Sequence, residues 1–161
     1  MKAKVVLISL ILLGTTFGAN AQSDVFERLS NEKHVTVVTI TKTLLNMMPK
    51  AVDEMDVEGM KISEILGKLE HIDVFTTEDA AAKKIMRDGA NALLKNNKSY
   101  EALMKMKDEG QEMGIYIERG AGDLIESLIM FVDDDDESVL IRLLGNFTIE
   151  DIQKVTEGFD M

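Results

Sequence analysis

LIESLIMFVDDDDESVLIRLL, residues 124–144, is the stretch that decides the fold. Two apolar runs, Leu124 to Val132 and Val139 to Leu144, flank the polar turn Asp133-Asp134-Asp135-Asp136-Glu137. Neither run reaches the roughly 20 residues that a bilayer-crossing helix needs, and both have the length of strands. Both are apolar on each face. A hairpin of that kind sits in the middle of a sheet, where neighbours cover it on two sides.

Upstream of it the pattern becomes one-sided. Met104 and Met106 alternate with Lys105 and Lys107, and Met113, Ile115 and Ile117 alternate with Tyr116 and Glu118, which predicts two strands with one covered face each. The turn signals Asp108-Glu109-Gly110-Gln111 and Gly120-Ala121-Gly122-Asp123 separate these runs, so Ser99 onward reads as a four-stranded antiparallel meander. After it, Thr148-Ile149-Glu150-Asp151 supplies a cap and an acidic first turn for a closing helix carrying Ile152 and Val155.

Towards the N-terminus, Val35 to Ile40 is a β-branched first strand and Ile72-Asp73-Val74-Phe75 a later one. Helical spacing links Val25, Phe26 and Leu29; then Leu44, Leu45, Met48, Val52 and Met55 around Pro49; then Ile62, Ile65, Leu66 and Leu69; and last Ala82, Ile85, Met86, Gly89 and Leu93, after a cap at Thr76 or Thr77. The expectation is an α+β fold, a single domain with a mainly antiparallel sheet of about six strands and three to four helices chiefly on one face.

Met1 to Lys4 is positive, Val5 to Gly18 is apolar, and Ala19-Asn20-Ala21 has the small-x-small form of a signal-peptidase site. Residues 1–21 are therefore read as an export signal, 22–34 as a lead-in and 35–161 as the domain. A soluble periplasmic or extracellular protein is expected, with no membrane span once the signal is cut. There is no cysteine, which removes disulfides, thiolate chemistry and a lipidated N-terminus. Cutting the signal removes Lys2 and Lys4 and leaves 16 basic against 29 acidic side chains, a net charge of −13. Nucleic acid and anionic membrane surfaces repel such a chain.

Three stretches carry a family resemblance: Ile40-Thr41-Lys42-Thr43-Leu44-Leu45 with Met47-Met48-Pro49, then Lys68-Leu69-Glu70-His71-Ile72, and most specifically Leu144-Gly145-Asn146-Phe147-Thr148-Ile149-Glu150-Asp151-Ile152. Over about residues 35–155 the chain resembles the exported Gram-negative bacterial family catalogued as domain of unknown function 4252. The resemblance implies an exported α+β domain, and it supplies no activity, ligand or catalytic residue.

Candidate chemistry is sparse. His34 and His71 lie 37 positions apart without paired-ligand spacing, although adjacent strands would let them meet beside Glu32 or Glu70. Asp133, Asp135 and Glu137 of the acidic turn are weak calcium candidates, but an EF-hand read from Asp133 puts Ser138 where glycine belongs and Leu144 where the bidentate Glu belongs. Glu54, Asp56, Glu58 and Gly59 fit the start of such a loop, and Ile65 then occupies its twelfth position. No Gly-x-Ser-x-Gly nucleophile elbow occurs. No cofactor is implied.

The expected function is thus a non-catalytic exported binding or protein-interaction domain of the cell envelope. The apolar side of the hairpin around Leu128, Met130, Leu140 and Leu144, with Leu124 and Val132 beside it, would take a protein partner, a second copy or a small apolar ligand. An envelope enzyme and a calcium-stabilised structural domain are the alternatives.

Overall fold

The computed structural model describes residues 21–47, 56–57, 60–96 and 99–156. In chain order these form α1 (Ala21–Asn31), β1 (Thr36–Thr41), α2 (Lys42–Met47), β2 (Asp56–Val57), β3 (Met60–Lys61), a 3-10 helix (Ile62–Lys68) and β4 (Leu69–Thr77). Then follow α3 (Ala80–Asn96), β5 (Tyr100–Asp108), β6 (Gln111–Arg119), β7 (Ile125–Asp133), β8 (Ser138–Phe147) and α4 (Ile149–Thr156). The export signal and the Met48 to Met55 part of the second helical stripe lie outside the described residues.

Strands β5 to β8 are the meander that the turn signals mark, and β4 and β1 extend it beyond β8 into a six-stranded antiparallel sheet of order β1-β4-β8-β7-β6-β5. The two-residue strands β2 and β3 form a separate ribbon that periodicity does not announce. Gly110 takes a φ of 85° in the β5–β6 turn, a conformation that costs glycine nothing.

Cross-strand pairing sorts the side chains by face. One rung runs Val38, Val74, Ile141, Met130, Ile115, Met104, apolar across all six strands. Leu45 of α2, Ile65 of the 3-10 helix, and Ile152 and Val155 of α4 pack on this face. The neighbouring rungs point the other way, where Phe75, Leu140, Phe131, Ile129 and Tyr116 meet Phe26 and Leu29 of α1 and Met86, Ala90 and Leu93 of α3. The helices expected chiefly on one face are therefore divided between both. The reason is the sequence of β7 and β8 itself, because strands apolar on two sides need two covers.

The second cover also changes β6. Tyr116 and Glu118, expected on a solvated face, are only 2% and 8% exposed, and the Tyr100 hydroxyl donates to Glu118 Oε2 at 3.1 Å. Burial pushes the Tyr116 hydroxyl pKa up, helped by the negative charge of Glu112.

Helix α3 is capped by Asp79, whose Oδ1 accepts the amides of Ala81 and Ala82 at 3.1 and 2.9 Å. Thr77, expected as a cap, is spent otherwise: its hydroxyl accepts the Asp79 amide and donates to the His34 carbonyl at 2.6 Å. At α4 the expected cap is present. The Asp151 carboxylate accepts the amide and hydroxyl of Thr148 at 2.7 and 2.8 Å, and the Lys68 ammonium binds both Asp151 oxygens. Burial alone would raise the Asp151 pKa, but Lys68 and Thr148 outweigh it and lower it to about 2.

Candidate functional site

The hairpin residues singled out in the sequence do not share a surface. Leu128 and Met130 belong to the face under α2 and α4, whereas Leu140 lies on the opposite face under α1 and α3; the three are 1%, 1% and 0% exposed. Leu144 is half-buried on Leu140's side, in the rung Thr41, His71, Leu144, Ser127, Glu118, Tyr100. Register explains the separation. Leu128 pairs with Leu143 and Met130 with Ile141, one residue away from the partners that would have gathered all four, and the four-residue turn 134–137 between the paired Asp133 and Ser138 sets that register. Val132 is half-buried on the Met130 face and Leu124, just before β7, is exposed.

The acidic turn is closed by its own chain. Asp133 turns inward, 2% exposed, where it accepts Arg87 of α3 and the Ser138 hydroxyl. Asp134 accepts the amides of Asp136 and Glu137 at 2.9 and 2.8 Å; those amides lower its pKa, and the Lys83 charge adds to them against burial. Lys83 Nζ also takes the carbonyl oxygens of Asp134 and Asp135, the second at 2.9 Å, filling with an ammonium the place a cation would need. Asp135 and Glu137 remain exposed. The three calcium candidates thus do not converge, and among the described residues no group of three acidic or histidine side chains is placed to hold a metal. Of the second acidic loop, Glu54, Glu58 and Gly59 lie outside the described residues.

The histidines stand at opposite ends of the β1–β4 pair, on the order of 20 Å apart by strand rise. Polar groups do gather around His71. Its Nε2 lies 3.2 Å from Asp73 Oδ2, the same oxygen that receives Arg142 Nε and Nη2 at 3.1 and 2.7 Å, while Asp73 Oδ1 accepts the Thr39 hydroxyl at 2.7 Å. Arg142 then stacks on Phe26 of α1, guanidinium carbon 3.8 Å from the ring centroid. This is a clamp that fastens α1 to the sheet, with the Asp73 carboxylate satisfied from three strands.

An open cleft of about 640 Å³ separates α3 from the tip of the β5–β6 hairpin. Arg87, Asn91 and Lys95, spaced one helical turn apart, face Lys107 and Glu112 across it. Its charges of both signs suit water and ions, not the small apolar ligand considered from the sequence.

The two sheet edges differ in kind. The β5 edge carries Glu101, Lys105, Lys107 and Asp108 and a bulge between Ala102 and Met104, devices that discourage another strand from pairing. The β1 edge is Thr-Val-Val-Thr-Ile-Thr, uncharged, β-branched and without a bulge in its pairing to β4. Val38 on that strand is 49% exposed, and α2 next to it exposes Leu44 and Met47 to 43% and 74%. Sequence pattern does not mark this surface, because Val35 to Ile40 declares a strand but not which strand lies at the margin.

No described helix is long and apolar enough to cross a membrane. No curated protein and no solved structure matches the chain. The family model Domain of unknown function (DUF4252) matches residues 26–155, from Phe26 of the α1 core contact to Val155 of the α4 core contact, and the chain accordingly belongs to that family.

Proposed function

We propose that this protein is a non-catalytic domain of the bacterial cell envelope, exported by the leader at residues 1–21, that works by binding another polypeptide through β1 and the apolar surface beside it. The observation that carries this reading is the undefended β1 edge with exposed Val38, Leu44 and Met47, in a sheet whose other edge is protected. Main-chain pairing at such an edge supplies affinity, and the alternate side chains supply selectivity.

A photo-activated residue placed at Val38 in the producing cell tests it. Covalent adducts are expected there and not with the same residue at Met106 on the β5 edge. An absence of adducts at both positions refutes the reading. Export is checked in the same cells by the mass of the mature chain, expected to begin at Gln22 in the envelope fraction.

One observation favours an envelope enzyme instead: His71, a third exposed, has Asp73 behind it as an orienting carboxylate. A His71→Gln variant that loses cellular function while keeping its melting temperature and its Val38 adduct would favour that alternative.

A further inference from the structure

We propose that the partner at β1 is a second copy of this chain, joined edge to edge in antiparallel register into a continuous sheet of twice the width; the proposal rests on the strand-edge reading above. Three features select a second copy over a foreign strand.

The first is self-complementarity. A two-fold axis normal to the sheet at Val38 sets Val38 against its own mate, Thr36 against Ile40 and Val37 against Thr39, which keeps every side chain on its own face. The apolar rung that ends at half-exposed Val38 in one copy then continues through Val38 of the other, with no polar residue interposed. Antiparallel pairing of a strand with itself is isologous, so one surface serves both sides.

The second is charge. Two copies of so acidic a chain repel, and a contact surface that brings no carboxylates together avoids adding to that repulsion. β1 meets that condition, carrying no charged residue over Thr36–Thr41. The ammonium of Lys42, next along the chain, is already paired with Glu70 at 3.1 Å.

The third is closure. Pairing through β1 leaves the two β5 strands as outer edges, and these carry the charges and the bulge that stop further addition. One open edge and one guarded edge in the same sheet give a finite dimer. Two open edges would give a fibre.

The test is the mass of the mature protein by light scattering at two concentrations and two salt strengths. A dimer is expected, tighter at the higher salt because screening weakens the repulsion between acidic copies. Val38→Lys, at a position already half-exposed, is expected to give a monomer with an unchanged far-ultraviolet spectrum. Because the chain lacks cysteine, Val38→Cys is expected to form a disulfide-linked dimer under mild oxidation, and Met106→Cys is not.

A wild-type monomer under all four conditions overturns the proposal, and so does a dimer that Val38→Lys leaves intact. If the Val38 adducts in the cell contain a different polypeptide and the purified protein is monomeric, the second copy is refuted and the interaction reading survives. If there are no adducts and no dimer, both fail.

Discussion

Ser127 buries its hydroxyl completely and finds no hydrogen-bond partner for it among the described residues. A buried unsatisfied hydroxyl is a net cost, so Ser127→Ala is expected to raise stability by about 1 kcal/mol, read as a higher denaturation midpoint in urea. Gly145 has the opposite character. A methyl group there would overlap the Lys68 carbonyl oxygen and press on the Phe147 ring, and a backbone carbonyl cannot swing aside. Gly145→Ala is expected to cost about 1–3 kcal/mol, measurable in the same urea titration. The Gly145-Asn146-Phe147-Thr148 segment that carried the family resemblance is thereby explained as structure: close approach at Gly145, a fully buried Phe147, and the α4 cap at Thr148. The sequence marked these residues plainly. It could not show the Lys68 carbonyl 77 positions away, because nothing local encodes that approach.

At the scale of elements, the helices are fastened to the sheet by charge as well as by apolar contact. Asp151 binds Lys68 of the 3-10 helix and caps α4 at once, with a pKa lowered to about 2. A carboxyl whose folded pKa lies below its unfolded value stabilises fully above about pH 4, and that stabilisation is lost as pH falls towards 2. Asp151→Asn should lower stability at neutral pH by about 1 kcal/mol, the usual cost of a lost cap interaction, and acid titration of its melting temperature should be flatter than that of the native chain. Arg87 does for α3 what Lys68 does for α4, reaching the buried Asp133 at the base of the β7–β8 turn. Arg87→Leu strands that carboxylate with Ser138 alone. The expected loss is about 2 kcal/mol, reduced from the fully buried case because Arg87 is itself 44% exposed, and hydrogen exchange should quicken in the turn at 134–137. The meander, the first strand and the α3 and α4 stripes were legible from periods of 2 and 3.6. The β2–β3 ribbon was not, since two-residue strands are too short to show a period, and Asp79 takes the cap expected of Thr76 or Thr77 while the Thr77 hydroxyl makes a tertiary bond to the His34 carbonyl that no local pattern encodes.

For the whole molecule, the decisive quantity is which surfaces remain after both sheet faces are covered. The hairpin's second apolar side, expected to await a partner, is met by α1 and α3 of the same chain, and exposed apolar side chains remain at both sheet margins, Val38, Leu44 and Met47 beside β1 and Leu103 and Met106 on the charged β5 edge. Strands β7 and β8 are apolar on both sides, so each side draws a helical cover from the same chain. By itself the sequence determined the α+β class, the antiparallel meander, the strong net acidity and the α4 cap, which follow from composition and from residues near one another along the chain. Only the tertiary structure decided that Leu128 and Leu140 lie back to back, that Lys83 fills the acidic turn, that His34 and His71 stand apart, and that β1 lies at the sheet margin among the described residues. Those outcomes depend on strand order and register, which are fixed by how the whole set of apolar faces can be buried together and which no local window of sequence contains.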